Sequence, residues 1–322
     1  MYPFNHKRGQ KIQTDVDGIS VDRGFIAHLN WTAEEAIAAD TDGIHAAKAC
    51  PAINVAATAV IKAASAVTDI LTITIPASEG ALANELKVIL TTAGNDTLAV
   101  TKTDATKAIN IALANTTAAK NAAANIQTAI RALTSLGTVS LAAVTCVAGG
   151  NWDTAAIATG EAGSVYFSGG LSPVDSISTE LTDPPCARNA TATAGGTAGD
   201  IKAIRVTVYG KRNGASIEEQ LPVFTVNTPG TVVGSLAFDE ITLVDIPAHD
   251  GLGATTAIGF GDKLGLPYEL AHNTLLTAHT FLNNVVEATE PTVAVSATLL
   301  EGNTIDLNSA LDGHAVDAYF VV

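Results

Sequence analysis

Charge is scarce in this chain. Asp, Glu, Lys and Arg make up 15% of its 322 residues, against about 25% in an average soluble domain. Aromatics are equally thin, at 5%, with two Trp and one Met. A surface so poor in charge and rich in Thr, Ser and Ala suits a protein that covers much of its exterior with neighbours. Cysteine is nearly absent. Cys50, Cys146 and Cys186 are an odd number at wide spacing, which excludes a disulfide framework, and no CxxC pair offers a zinc site. Long apolar runs are missing too. The region 46–66 leans apolar, but Lys48, Pro51, Asn54 and Lys62 interrupt it, so no membrane span is expected. The start, 1–10, is polar and basic with no apolar stretch behind it, so no secretory signal is expected. Sequons such as Asn189-Ala190-Thr191 then carry no meaning. The chain reads as made in a reducing cytoplasm.

The charge that is present is mostly negative. The net charge is −15 and the pI about 4.7, which repels phosphate and argues against nucleic-acid binding. The basic run is His6, Lys7, Arg8 and Lys11. It is either a solvated terminus or a short arm docking on an acidic neighbour.

Patterning is mainly β. Residues 1–45 read as a polar, extended leader. Asp15-Val16-Asp17-Gly18 and Asp40-Thr41-Asp42-Gly43 open like calcium loops but lack the later acids, so they are expected to be turns. From 67 onward the pattern changes. Ile70 to Ile75 alternates with Thr, as a half-buried strand does. Segments 86–91, 97–101 and 108–113 follow as strands. A helix is predicted after a cap at Thr116 or Thr117, with Ala119, Ala122, Ile126, Ile130 and Leu133 on one face and Gly137 after its end. A strand over 139–144 and the run 165–170 close a compact α/β unit. Beyond a loop rich in Ser, Pro, Thr and Gly, strands resume at 201–209, 217–226 and 237–246. Asn213-Gly214 marks a hairpin. The end reads as strands at 293–297, 304–307 and 315–322. Short strands with regular turn signals imply a sandwich or barrel.

Candidate chemistry is sparse. There is no G-x-S-x-G elbow. His272 and His279 lie seven apart, one helix face if that segment were helical, but lack carboxylates at ligand spacing. Ile258-Gly259-Phe260-Gly261-Asp262-Lys263-Leu264-Gly265 has the look of a phosphate loop without its Gly-Lys-Ser/Thr, and reads as a turn between strands. Glu218 and Glu219 are adjacent strand residues and point to opposite faces. No catalytic, cofactor-binding or metal residue is nominated, and the chain is not expected to be an enzyme.

Several segments carry a resemblance: Ala39-Asp40-Thr41-Asp42-Gly43, Arg188-Asn189, 206–210 with Gly214 and Glu218-Glu219, Ala237-Phe238, 261–267 and 303–313. Together they resemble a group of tailed-bacteriophage virion structural proteins of the capsid decoration or cement kind. Residues 67–170 depart from that pattern and resemble small α/β modules inserted in phage surface and tail proteins. The resemblance implies one β-sandwich or barrel domain, 1–66 with 171–322, and an inserted α/β module at 67–170. It implies a place in the virion, with copies of the chain and other virion proteins, above all the major capsid protein, as partners. A tail-tube role is the nearest alternative. A carbohydrate-binding module is a further one, short of aromatics because it has only Trp31, Trp152 and a few Tyr to stack on sugars.

Overall fold

A computed structural model describes residues 12–16, 19–23, 26–63, 66–152 and 163–321. The basic run His6 to Lys11 and the Asp17-Gly18 pair lie outside the described residues. The protein is mainly β, built largely of antiparallel strand pairs, with a parallel pair among the described residues. It divides into two compact units. One comprises 1–50, 175–247 and 251–322; the other comprises 51–174 with 248–250.

The unit 51–174 starts earlier than the sequence pattern suggests. The apolar-leaning stretch before 67 holds the strand Ala57–Ala63, which pairs antiparallel with Ala66–Ile75 along its length. Backbone pairing therefore carries this stretch into the unit 51–174. Thr145–Gly149 lies on the other side of Ala66–Ile75. A second sheet has the order Gly163–Tyr166, Lys87–Thr92, Ala108–Leu113, Ala99–Thr103, and Lys87–Thr92 runs parallel to Ala108–Leu113. The inward faces supply Ile61, Leu71, Ile73, Ile75, Val88, Leu90, Ile109 and Ile111 to one apolar core.

The helix of this unit is shorter than predicted. Thr116 and Thr117 do not cap it. Both amides and the Thr117 hydroxyl donate to Asp96, so the chain first makes the 3₁₀ turn Ala118–Asn121 and the α-helix is only Ala123–Arg131. Ile126 and Ile130 still face the core, fully buried. Gly137 belongs instead to a tight hairpin joining Ser135–Leu136 to Val139–Ser140, so the strand expected over 139–144 is cut to two residues.

In the other unit two sheets share a core. One has the order Val174–Ile177, Glu240–Pro247, Thr207–Arg212, Ala215–Gln220. The other has the order Gly230–Phe238, Arg188–Gly196, Ala254–Gly265, Thr304–Asp306, Thr292–Ala294, and Asp40–Ala49 also pairs with Ala254–Gly265. Val206, Val208, Val244, Ala192, Ile258 and Phe260 meet between them. Asn213 and Gly214 form the predicted hairpin turn, both at positive φ, and Asp239 accepts the Asn213 amide and the Arg212 guanidinium. Residues 201–206 are not strand, because the amides of Ile201 and Ile204 are spent on local turns to Ala198 and Lys202.

The leader expected over 1–45 is not a leader. It holds the hairpin Ile12–Val16 with Ile19–Arg23 and the strand Ile26–Trp31, and Asp40 begins the strand Asp40–Ala49. The strand Val316–Val321 pairs with Ile26–Trp31 on one side and Phe281–Leu282 on the other. Its alternate residues Val316, Ala318 and Phe320 are fully buried with Trp31, Leu264 and Ile305.

The glycine-rich segment 258–265 is not a turn but part of Ala254–Gly265, the strand with pairing partners on both sides. Its glycines admit neighbours. A Cβ at Gly259 would lie 1.9 Å from the Asp40 carbonyl oxygen, and one at Gly261 would lie 2.6 Å from Asn189 Nδ2. Close backbone approach, not phosphate cradling, explains the motif.

Candidate interaction surface

The expected calcium-like and histidine motifs do not converge on a reaction. Among the described residues no three His, Cys, Asp or Glu side chains are grouped to hold a metal. The Asp42 amide turns back on Asp40 Oδ1 at 3.1 Å, a local turn. A side-chain hydrogen bond with Asp40, and then the charge of Asp40, raise the Asp42 carboxyl above its ordinary value. His272 and His279 share no helix: His279 closes the 3₁₀ turn Thr277–His279, and His272 lies before it in irregular chain. Glu218 is exposed and Glu219 buried, where the latter accepts the Ser235 and Leu236 amides. Burial pushes the Cys146 thiol up to about 12 and the Cys186 thiol up to about 11, so neither is a nucleophile at neutral pH.

A groove of about 480 Å³ is lined by His45, Lys48, Ser176, Thr179 and Glu180. Three of its polar groups are already engaged. Ser176 donates to Asp245 at 2.6 Å, His45 Nδ1 meets the Ala46 carbonyl at 2.7 Å, and Lys48 pairs with Asp175 at 2.9 Å. A serine and an imidazole line one groove without forming a nucleophile–base pair.

The solvent faces of two sheets are more informative. In the unit 51–174, register across three strands produces rows on the outer face. Thr58, Thr74 and Thr145 stand side by side, and Val60, Thr72 and Val147 form the next row. Val147 is 62% exposed and Val60 44%. The two rows contain no charge. Alternation alone dictates this face: the in-between residues Ala59, Ile73 and Cys146 point to the core.

In the other unit, the outer face of Val316–Val321 carries a polar–aromatic cluster. His28 stacks on Tyr319 with centroids 4.5 Å apart, and His279 meets the same ring edge-on at 6.2 Å. Asp317 accepts from His28 Nε2 at 2.7 Å and from Asn30 at 2.9 Å. Cross-strand pairing of Asp317 with Asn30 and Tyr319 with His28 sets this geometry. The signal was present in the period-2 pattern of 315–322, but the partner strand lay hidden in the presumed leader. Both tryptophans are buried, Trp31 at 7% and Trp152 at 0% exposure, so neither offers a stacking platform for a sugar. No helix among the described residues is long and apolar enough to cross a membrane.

Comparison of the chain with known protein families, with curated proteins and with solved structures finds no match.

Proposed function

We propose that the chain is a structural component of a tailed-bacteriophage particle, acting as a capsid decoration or cement protein rather than an enzyme. Its partners would be copies of itself and other virion proteins, with the major capsid protein the main one. The observation that carries this reading is the pair of uncharged rows, Thr58, Thr74, Thr145 and Val60, Thr72, Val147, on the outer face of the sheet 57–63, 66–75 and 145–149, with Lys62 in the row beside them. Rows of Thr and half-exposed Val lose no charge hydration on being covered, and Val burial adds apolar area. The resemblance of 188–189, 261–267 and 303–313 to virion proteins points the same way, and edge strands offer backbone pairing to neighbours.

Labelling intact particles with antibody to the chain tests the place. Label spread over the head in many copies is the expected result. Label in rings along the tail would assign the chain to the tail tube, for which the net charge of −15 would make a lumen that repels DNA. Absence from particles would overturn the reading. Val147→Lys tests the face. It changes an exposed position, so folding stability should move by no more than about 0.5 kcal/mol, while incorporation into particles should be lost.

A further inference from the structure

We propose that Lys263 and Asn189 join through a side-chain amide bond within the chain, with Asp306 as the group that moves the protons. The three motifs singled out by sequence at 188–189, 261–267 and 303–313 meet at this point. They lie on adjacent strands, Arg188–Gly196, Ala254–Gly265 and Thr304–Asp306.

The nucleophile and the leaving group are held by one oxygen. Lys263 Nζ donates to the Gly234 carbonyl at 3.1 Å, and Asn189 Nδ2 donates to the same carbonyl at 3.3 Å. Gly234 belongs to Gly230–Phe238, on the far side of the strand bearing Asn189. The lysine side chain therefore reaches across the asparagine to find its acceptor. Asn189 itself is fully buried, in an irregularity of the strand pairing between Arg188 and Ala190. Fixing both groups in one site replaces an encounter between them by a local displacement.

The electrophile is polarised. Asn189 Oδ1 accepts the Lys263 backbone N–H at 3.0 Å. That donor would stabilise the oxyanion formed when an amine adds to Cγ. Gly261 leaves the amide its room, since any Cβ there would press on Asn189 Nδ2 at 2.6 Å.

The carboxyl group is placed by register. Leu264 pairs with Ile305, so Lys263 stands opposite Asp306 on the neighbouring strand. Burial raises the Asp306 carboxyl, and Asp262 nearby raises it further against the lowering effect of Lys263. A carboxyl opposite Lys263 can take protons from its ammonium and give them up again once the amine has moved onto Cγ and displaced the amide nitrogen.

The atoms balance without any oxidant. The Nζ–Cγ bond forms and the Cγ–Nδ2 bond breaks. The lysine ammonium gives up two of its three protons by way of Asp306. Both end on the departing nitrogen, which leaves as ammonium, and the third remains as the new amide N–H.

The test is the intact mass of the purified full-length chain, compared with that of Lys263→Arg, each against the mass its sequence demands. The wild-type chain is expected to be lighter by one ammonia and Lys263→Arg to match its sequence. Protease digestion of the wild type should release a branched peptide joining Lys263 to Asn189. Asp306→Asn should cross-link more slowly by roughly 10²-fold or more. A wild-type mass equal to the sequence mass after prolonged incubation at neutral pH would overturn the proposal. So would an equal ammonia loss in Lys263→Arg, which would place the loss elsewhere. Cross-linking of Asp306→Asn at the wild-type rate would overturn the role given to the carboxyl group.

Discussion

The two units solve the same β-sheet problem with different materials. The core of 51–174 is mostly aliphatic, joined by Trp152 and Phe167, and its buried polar side chains include Asn121 and Asp69. Asn121 bonds both the N–H and the C=O of Ala114, and Trp152 Nε1 donates to the Asn121 carbonyl. The other unit is pinned by buried charged and polar side chains. Arg188 is fully buried and donates to the carbonyls of Gly261, Glu35 and Ile37, with Phe260 against its guanidinium at 4.9 Å. Asn303 bonds the backbone at Leu270, Ser296 and Leu299. Apolar packing tolerates exchange of one aliphatic residue for another. A polar anchor does not, because each partner it leaves is a buried unpaired group. The segments that read as distinctive motifs are these anchors.

The strongest way to break this comparison is to remove the strand 316–321. Truncation after Asp312 deletes Val316, Ala318 and Phe320 from the core and strips Ile26–Trp31 of its pairing partner. The Val and Phe side chains are each worth roughly 1.5–3 kcal/mol when fully buried, against a total on the order of 5–15 kcal/mol. Calorimetry should show the transition of this unit lost and that of 51–174 retained. Loss of both would mean that the units do not fold separately.

Arg188→Ala comes next. It takes a donor from the carbonyls of Gly261, Glu35 and Ile37 and removes the guanidinium 3.6 Å from Asp262. Removing one member of such a buried set costs about 3–5 kcal/mol. In the aliphatic unit, Ile126→Ala leaves a cavity at a fully buried position and should cost about 2–5 kcal/mol. The sharper contrast is conservative exchange: Ile126→Leu should be tolerated within about 1.5 kcal/mol, whereas Arg188→Lys should lose most of what Arg188→Ala loses, because an ammonium cannot span the same fork of acceptors. Denaturant midpoints of the four variants decide this.

The sequence makes legible what depends on neighbours along the chain. Ile70 to Ile75 alternates and is a strand, Asn213-Gly214 is a turn, and the core face of 316–320 follows from period 2. What it conceals depends on distant partners. The Ile26–Trp31 strand looks polar because half its face holds His28 and Asn30, whose partners are almost 300 residues away. The turn Asn283-Asn284, at positive φ, lacks the Gly that would have announced it. Gly259 and Gly261 read as breakers because the strands that crowd them are invisible in one dimension. The outer rows of the 51–174 sheet were half legible: the Thr alternation was plain, but the side-by-side register that makes it a face is tertiary information.

The smallest expected effects are the most diagnostic, because two carboxylates, one in each unit, should respond to pH with opposite sign. Asp96, in the unit 51–174, is held below the usual carboxylate range by hydrogen bonds from Lys120 first, then from Thr117 and Thr116. Its folded form binds fewer protons than the unfolded chain, so its contribution is present above about pH 4 and is lost as pH falls below that. Asp306 is raised, chiefly by burial. Its folded form binds more protons, so its contribution is fullest below about pH 4 and is lost as pH rises through its folded value. Asn imitates the protonated acid in both places. Asp96→Asn should therefore be less stable than its parent at neutral pH, with the deficit shrinking toward pH 3. Asp306→Asn should gain on its parent as pH rises from 3 to 7. Both are best measured as urea midpoints in a Lys263→Arg background, which keeps the positive charge beside Asp306 but has no amine to join Asn189. Asp96 is at the surface, so added salt should weaken its effect, while the Asp306 effect should persist. Curves of the same sign for both variants would show that hydrogen bonding at Asp96 and burial at Asp306 do not set the two carboxylates apart.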